Sequence, residues 1–161
     1  MRRIMLVLLP LVLLCGCVRS EKTDLVLFCK EFNDRAENIK ISEHDAMRRN
    51  ESEILLTAGN VLIRLQTEED GAISTAVLTA SGSDAHTLRS VAETAFTVLA
   101  QPLAESVPET ILNAIEQKNE QIVQADTPYF RYLLYGTRDA ITVQQIALLQ
   151  VSLSDPPSLR P

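Results

Sequence analysis

The 161-residue chain contains no tryptophan, only three tyrosines and four phenylalanines, and five glycines. Basic residues are also short, with 15 Lys and Arg against 21 Asp and Glu and a net charge of −6. Nucleic acid is neutralised by clustered Lys and Arg, so that class of partner is excluded. The sequence has no H-E-x-x-H, no G-x-S-x-G and no glycine-rich loop after a strand, which removes the familiar metalloprotease, hydrolase and phosphate-binding patterns. Its longest apolar run, "IMLVLLPLVLL" at residues 4–14, is eleven residues interrupted by Pro10. A helix needs about 20 apolar residues to cross a bilayer, so this run is too short for a permanent span.

Cysteine is scarce but placed unevenly: two of the three lie one glycine apart in "LLCGC", residues 13–17. Such a pair suits a disulfide, half of a metal site, or a processing signal. Arg2 and Arg3 precede the apolar run and small residues follow it, which is the layout of a secretory signal, although no A-x-A ending is present. "LCGC" resembles the lipobox of bacterial lipoproteins, with Leu14 at −3, Cys15 at −2, Gly16 at −1 and Cys17 as the modified residue. The resemblance implies removal of residues 1–16 and a lipidated Cys17 as the new first residue. At ~0.8 kcal/mol per buried CH₂, two or more acyl chains hold a protein stably on a membrane. Val18 follows, where the Asp that retains lipoproteins at the inner membrane would stand, so the resemblance favours the periplasmic face of an outer membrane. Loss of Arg2 and Arg3 leaves thirteen basic residues against 21 acidic, so the acyl chains, not charge, must supply the attachment.

Residues 18–23, "VRSEKT", read as a tether reaching at most roughly 20 Å. The remaining body, residues 24–153, suits one domain, with a frayed tail at 154–161. Leu25, Phe28, Cys29, Phe32 and Ala36 recur at helical spacing and predict a helix from Asp24 to Ile39, with Cys29 buried and inert on its apolar stripe. Residues 42–52 read as a polar loop. "EILLTAGNVLIRLQT" and "AISTAVLTA" predict two strands joined through Asp70-Gly71, with a bend at Ala58-Gly59-Asn60. Ser83 or Asp84 is placed to cap a helix striped by Leu88, Val91, Ala92, Ala95, Phe96, Leu99 and Leu103. Ser106 and Glu109 form a capping-box pattern, with Pro108 in the first turn, before a stripe of Ile111, Leu112, Ile115, Ile122 and Val123. "YFRYLLY" and "AITVQQIALLQVSL" predict two last strands around Gly136. The order α-ββ-αα-ββ predicts an α+β domain with a mainly antiparallel sheet of about four strands and helices packed on it.

Few residues suggest chemistry. "EHD" at 43–45 places His44 between two carboxylates, but adjacent residues seldom converge on one ion. His86 falls in a first helical turn, and "TEEDG" at 67–71 lacks the spacing of a calcium loop. No catalytic residue, cofactor or metal is expected. All three tyrosines fall in "YFRYLLYG", residues 129–136; on a strand Tyr129, Arg131, Leu133 and Tyr135 share one face, and Phe130, Tyr132 and Leu134 the other. Tyr and Arg are enriched where proteins bind one another, so Tyr129, Arg131, Tyr132 and Tyr135 are the candidate partner contacts. The strands are apolar on both faces, and two helices cover one; the first helix, a partner or an apolar ligand must cover the other. Residues 90–130 carry six acidic side chains against Lys118, an acidic surface suited to a basic partner. The expected function is that of a non-catalytic, membrane-anchored envelope lipoprotein binding another envelope protein. Carriage of an apolar small molecule between helices and sheet, and a cell-wall-proximal enzyme or inhibitor, are the alternatives.

Overall fold

A computed structural model describes residues 23–117 and 119–148. The expected signal segment at 1–16, Cys17, residues 18–22 of the expected tether, and residues 149–161 lie outside the described residues. The chain forms α1 (Leu25–Arg35), β1 (Met47–Arg48), β2 (Glu53–Ala58), β3 (Val61–Thr67), β4 (Ile73–Ser81), α2 (Ala85–Ala100), α3 (Glu109–Glu116), β5 (Gln121–Asp126), β6 (Phe130–Gly136) and β7 (Ala140–Ala147). The α+β class stands, but the sheet has seven strands, not about four, in the order β1-β2-β3-β4-β7-β6-β5. Every neighbouring pair is antiparallel. Two meanders, β1 to β4 and β5 to β7, meet where β4 pairs with β7, from Thr75↔Ile146 to Ser81↔Ala140.

Local chemistry explains most boundaries. Asp24 caps α1 by accepting the Leu27 N–H at 2.8 Å. The helix ends at Arg35, four residues before the expected Ile39, because Ala36 turns extended. Lys40 donates its ammonium to the Asn33 and Ala36 carbonyls, taking up acceptors the helix end leaves over. The Asn33 amide both donates to and accepts from the backbone of Ile41, which fixes the returning chain. The expected bend at 58–60 is a complete two-residue hairpin turn, with Gly59 at φ 59°, a conformation open to glycine. At the Asp70-Gly71 hairpin, Gly71 has φ 83° and the Asp70 carboxylate accepts the Ala72 N–H.

Two expectations fail around α2 and α3. Ser106 and Glu109 do not form a capping box: Pro108 is the extended N-cap residue and no side chain caps α3. Ile122 and Val123 do not continue its stripe, since the helix stops at Glu116 and both residues belong to β5. Gln121 Nε2 instead donates to the Ala114 carbonyl at 2.7 Å, and Ile122 and Val123 pair with Tyr135 and Leu134. Lateral pairing thus overrides a helical spacing that is only apparent. The polar 42–52 segment supplies a 3₁₀ turn at Glu43–Asp45 and the two-residue strand β1.

All three helices pack on one face of the sheet. Ile54, Leu56, Ile63, Leu65, Leu78, Tyr132, Leu134 and Val143 point inward and meet Phe28 and Phe32 of α1, Leu88 and Phe96 of α2, and Ile111 and Ile115 of α3 in one continuous core. Arg89 of α2 reaches Glu109 and Glu116 of α3 at 3.9 and 3.6 Å and holds the two helices together. Each fully buried large side chain contributes roughly 1.5–3 kcal/mol by removal from water.

Gly136, at the end of β6, has the closest surroundings of the described glycines. A Cβ there would sit against the Asn119 carbonyl, closer than real atoms approach, whereas at Gly82 it would meet the Arg138 carbonyl at an ordinary 3.5 Å. Gly136→Ala is expected to lower unfolding free energy by about 1–3 kcal/mol, and Gly82→Ala to change it by less than about 0.5 kcal/mol. Urea denaturation of the two variants checks the difference.

Candidate functional site

The register divides the sheet cleanly. Leu55, Leu62, Arg64, Val77, Gln144, Leu133 and Ile122 point away from the helices, together with Thr79 and Thr142, whose hydroxyls hydrogen-bond at 3.1 Å. Because α1 joins α2 and α3 in the core, no described helix covers this outer face. The first helix is therefore not its cover. An antiparallel sheet tolerates one face in water, and the middle of this one is shielded by its own neighbours, with Thr75 and Val77 each 7% exposed. On this face Leu62 of the interior strand β3 is 44% exposed, and at the β5–β6 margin Ile122 is 76% and Tyr135 42% exposed. These two are direct cross-strand partners on β5 and β6.

The four sequence-derived contact residues separate. Tyr135 is exposed. Tyr129 precedes β6, half-buried against the core, and its carbonyl accepts the Leu148 N–H at 2.7 Å. Arg131 faces outward but is held by Asp126, with Nε and Nη2 donating to the two carboxylate oxygens at 2.9 and 3.2 Å. That pairing pulls the Asp126 carboxyl below its ordinary range and raises the guanidinium in turn. Tyr132 leaves the surface altogether. Its ring is fully buried edge-on to Phe96, with centroids 5.8 Å apart. Its hydroxyl accepts from Gln145 Nε2 at 2.9 Å, while the same amide donates to the Phe96 carbonyl. Burial pushes the Tyr132 phenol up to about 12. The pair of rings and the amide form a polar pin inside the core, not a partner contact.

The residue that sequence reasoning missed is Ile122. Read as part of a helical stripe, it was assigned to a buried face; only the pairing of β5 with β6 turns it outward beside Tyr135. The exposed surface on this side is therefore Ile122 and Tyr135, with the neutralised Arg131–Asp126 pair one register step along β5 and β6 past Gln124 and Leu133.

The remaining candidates do not converge. His44 sits exposed in its 3₁₀ turn, and no group of three His, Cys, Asp or Glu side chains is arranged to hold a metal among the described residues. His86 is exposed on the first turn of α2 and lines, with Arg35, Glu37, Thr87 and Ser90, a cleft of about 400 Å³ between α2 and the end of α1. No strand residue lines that cleft, so it does not lie between helices and sheet. Asp84 ties the β2–β3 turn to α2 by accepting from Ser81 and Asn60, bonds that hold its carboxyl low, and its side chain does not cap the helix. Cys29 is 5% exposed, and burial, with the Glu43 carboxylate adding to it, pushes the thiol up to about 11. A thiol kept protonated and covered is a poor nucleophile.

Two measurements check these placements. Cys29 is expected to resist alkylation at pH 8 in the native protein and to react fully in urea, as peptide mapping would locate. Tyr132 keeps its proton in the fold up to about 12, while an unfolded tyrosine loses it near its ordinary value of 10.0. The stability this provides is present below that ordinary value and lost as pH rises through the folded one. Tyr132→Phe should lose about 1 kcal/mol at neutral pH, because Gln145 loses an acceptor, yet show a shallower alkaline decline in urea titrations across that window.

No protein-family model matches this chain, no curated protein matches it, and no solved structure matches it.

Proposed function

We propose that this protein is a non-catalytic envelope lipoprotein, anchored through Cys17 and binding another envelope protein on the β5–β6 side of its sheet. The single observation that carries the reading is the exposed Ile122–Tyr135 pair on a sheet face that no described element covers. Apolar and aromatic side chains set side by side in water are the composition of a contact centre, and Arg131–Asp126 beside them supplies a polar border. The "LCGC" pattern supports the anchor. The inner face is filled by Leu78, Phe96, Ile111 and Tyr132, which favours a surface contact over carriage of a molecule between helices and sheet.

Both halves of the reading have direct tests. Intact mass of the isolated protein should show a chain beginning at Cys17 with added diacylglycerol and acyl groups, and globomycin should cause the precursor to accumulate. A chain that begins elsewhere, or carries no acyl mass, removes the anchor. Crosslinking in membranes followed by affinity capture should recover one envelope protein whose yield drops at least tenfold with Tyr135→Lys. An unchanged yield would remove the β5–β6 side as the contact.

A further inference from the structure

Cover over the inner face of the sheet stops short at one end. On β7 the inward positions Ile141, Val143 and Gln145 are buried beneath the helices, and the next, Ala147, is exposed. Its direct partner on β6, Phe130, still belongs to the core. α2 ends at Ala100, and the 3₁₀ turn that follows, Gln101–Leu103, leaves Leu103 36% exposed. Between that turn and the sheet lies a depression of about 150 Å³, with Ile73, Leu99, Pro102, Leu103, Phe130 and Ala147 among its walls. A volume of this order accepts a benzene-sized apolar group.

Two stretches of chain leave from its rim. Thr23, the first described residue, lines the depression. So does Ala147, next to Leu148, the last described residue, whose N–H donates to the Tyr129 carbonyl at 2.7 Å. The residues before Thr23, "VRSEK" at 18–22, carry three charged side chains and one apolar one. Those after Leu148, "LQVSL" at 149–153, are uncharged and alternate apolar with polar. Their phase is that of β7. Counting in twos from Ile141, Val143, Gln145 and Ala147 reaches Leu149, Val151 and Leu153, so an extended chain presents all three to the helix side of the sheet. Leu149 then follows Ala147 by one side-chain repeat, roughly 7 Å along the strand. Asp155 and Pro156-Pro157 close the run.

We infer that residues 149–153 of this chain dock in the depression, with Leu149 seated against Leu99, Leu103 and Phe130 and with Val151 and Leu153 turned to the same face. Contiguity selects this occupant. Leu149 is joined directly to a residue already hydrogen-bonded at the rim, so its encounter is intramolecular, at an effective concentration on the order of millimolar. A second copy or a separate protein must exceed that to compete. The polar stretch at 18–22 starts from the same rim but offers no comparable apolar surface. The docked segment extends the core by one layer and covers Leu103, and an apolar ligand or partner reaches the depression only by displacing it. This inference depends on neither the Cys17 anchor nor the β5–β6 contact.

The test uses the purified full chain. In the unsubstituted protein, NMR should show nuclear Overhauser contacts from the Leu149 or Val151 methyl groups to the Phe130 ring, unchanged on dilution. In Leu103→Cys, maleimide labelling at residue 103, located by peptide mapping, should run at least tenfold faster once Leu149→Asp and Val151→Asp are added. Ser158→Asp, beyond the segment, should leave that rate within twofold. Absence of the contacts to Phe130 overturns the inference, and so does a labelling rate that the two aspartates leave unchanged. Contacts that vanish on dilution would give the depression to a second copy, and contacts from Val18 would give it to the stretch before Thr23; either result overturns docking of 149–153. Acceleration by Ser158→Asp equal to that of the pair would do the same.

Discussion

The pairing of β4 with β7 is the interaction on which everything else depends. It joins residues 59 to 71 positions apart in sequence, from Ser81↔Ala140 to Thr75↔Ile146, and converts two separate meanders into one sheet. Closing so long a loop has an entropic cost, which the ladder and the burial of Leu78 against Val143 must offset. The connection inside that loop contains α2 and α3, and it must travel from the centre of the sheet to its far edge. With α1 already seated on the inner face, both helices lie beside it, and the other face is left to its own side chains.

Once that topology is set, polarity follows residue by residue. Inward positions are mostly apolar; the buried exception is Gln145, whose amide lies between the Phe96 carbonyl and the Tyr132 hydroxyl and whose Oε1 has no partner. An unpaired buried acceptor is costly, and its neighbours are a strand, a helix and an aromatic ring that must all be in place for its donors to be used. Outward positions alternate Thr, Gln and Leu, and their charges are spent locally: Glu53 on Arg49 and Arg64, and Asp126 on Arg131.

What could be read in the sequence was whatever depends on near neighbours. The stripe Leu88, Val91, Ala92, Ala95, Phe96 and Leu99 is buried along α2, although Leu103, expected on it, falls beyond the helix and is exposed, and the Asp70-Gly71 hairpin turns where its φ preference requires. The alternation of residues 130–135 on β6 also holds. What failed needed long-range information. Ile122 and Val123 stand seven and eight positions after Ile115, which satisfies a helical repeat as well as a strand does, and only β6 decides between them. The same gap hid β5 from the strand count and left Tyr132 among the surface candidates, since alternation defines two faces without saying which one the helices cover. The candidate site was half legible: its tyrosine and arginine were visible, and its isoleucine was not.

The proposed amino-terminal anchor would have a mechanical side. Thr23, the last residue before the cap of α1, is buried, and its carbonyl accepts the Ile73 N–H at the first residue of β4. A pull through the proposed anchor would therefore enter at the middle of the sheet and not at a margin. Force directed along β4 loads its two flanking ladders in shear, many bonds at once, where the same force at β1 or β5 would peel them singly. Anchored as proposed, the body would be held through a central strand and not through an edge.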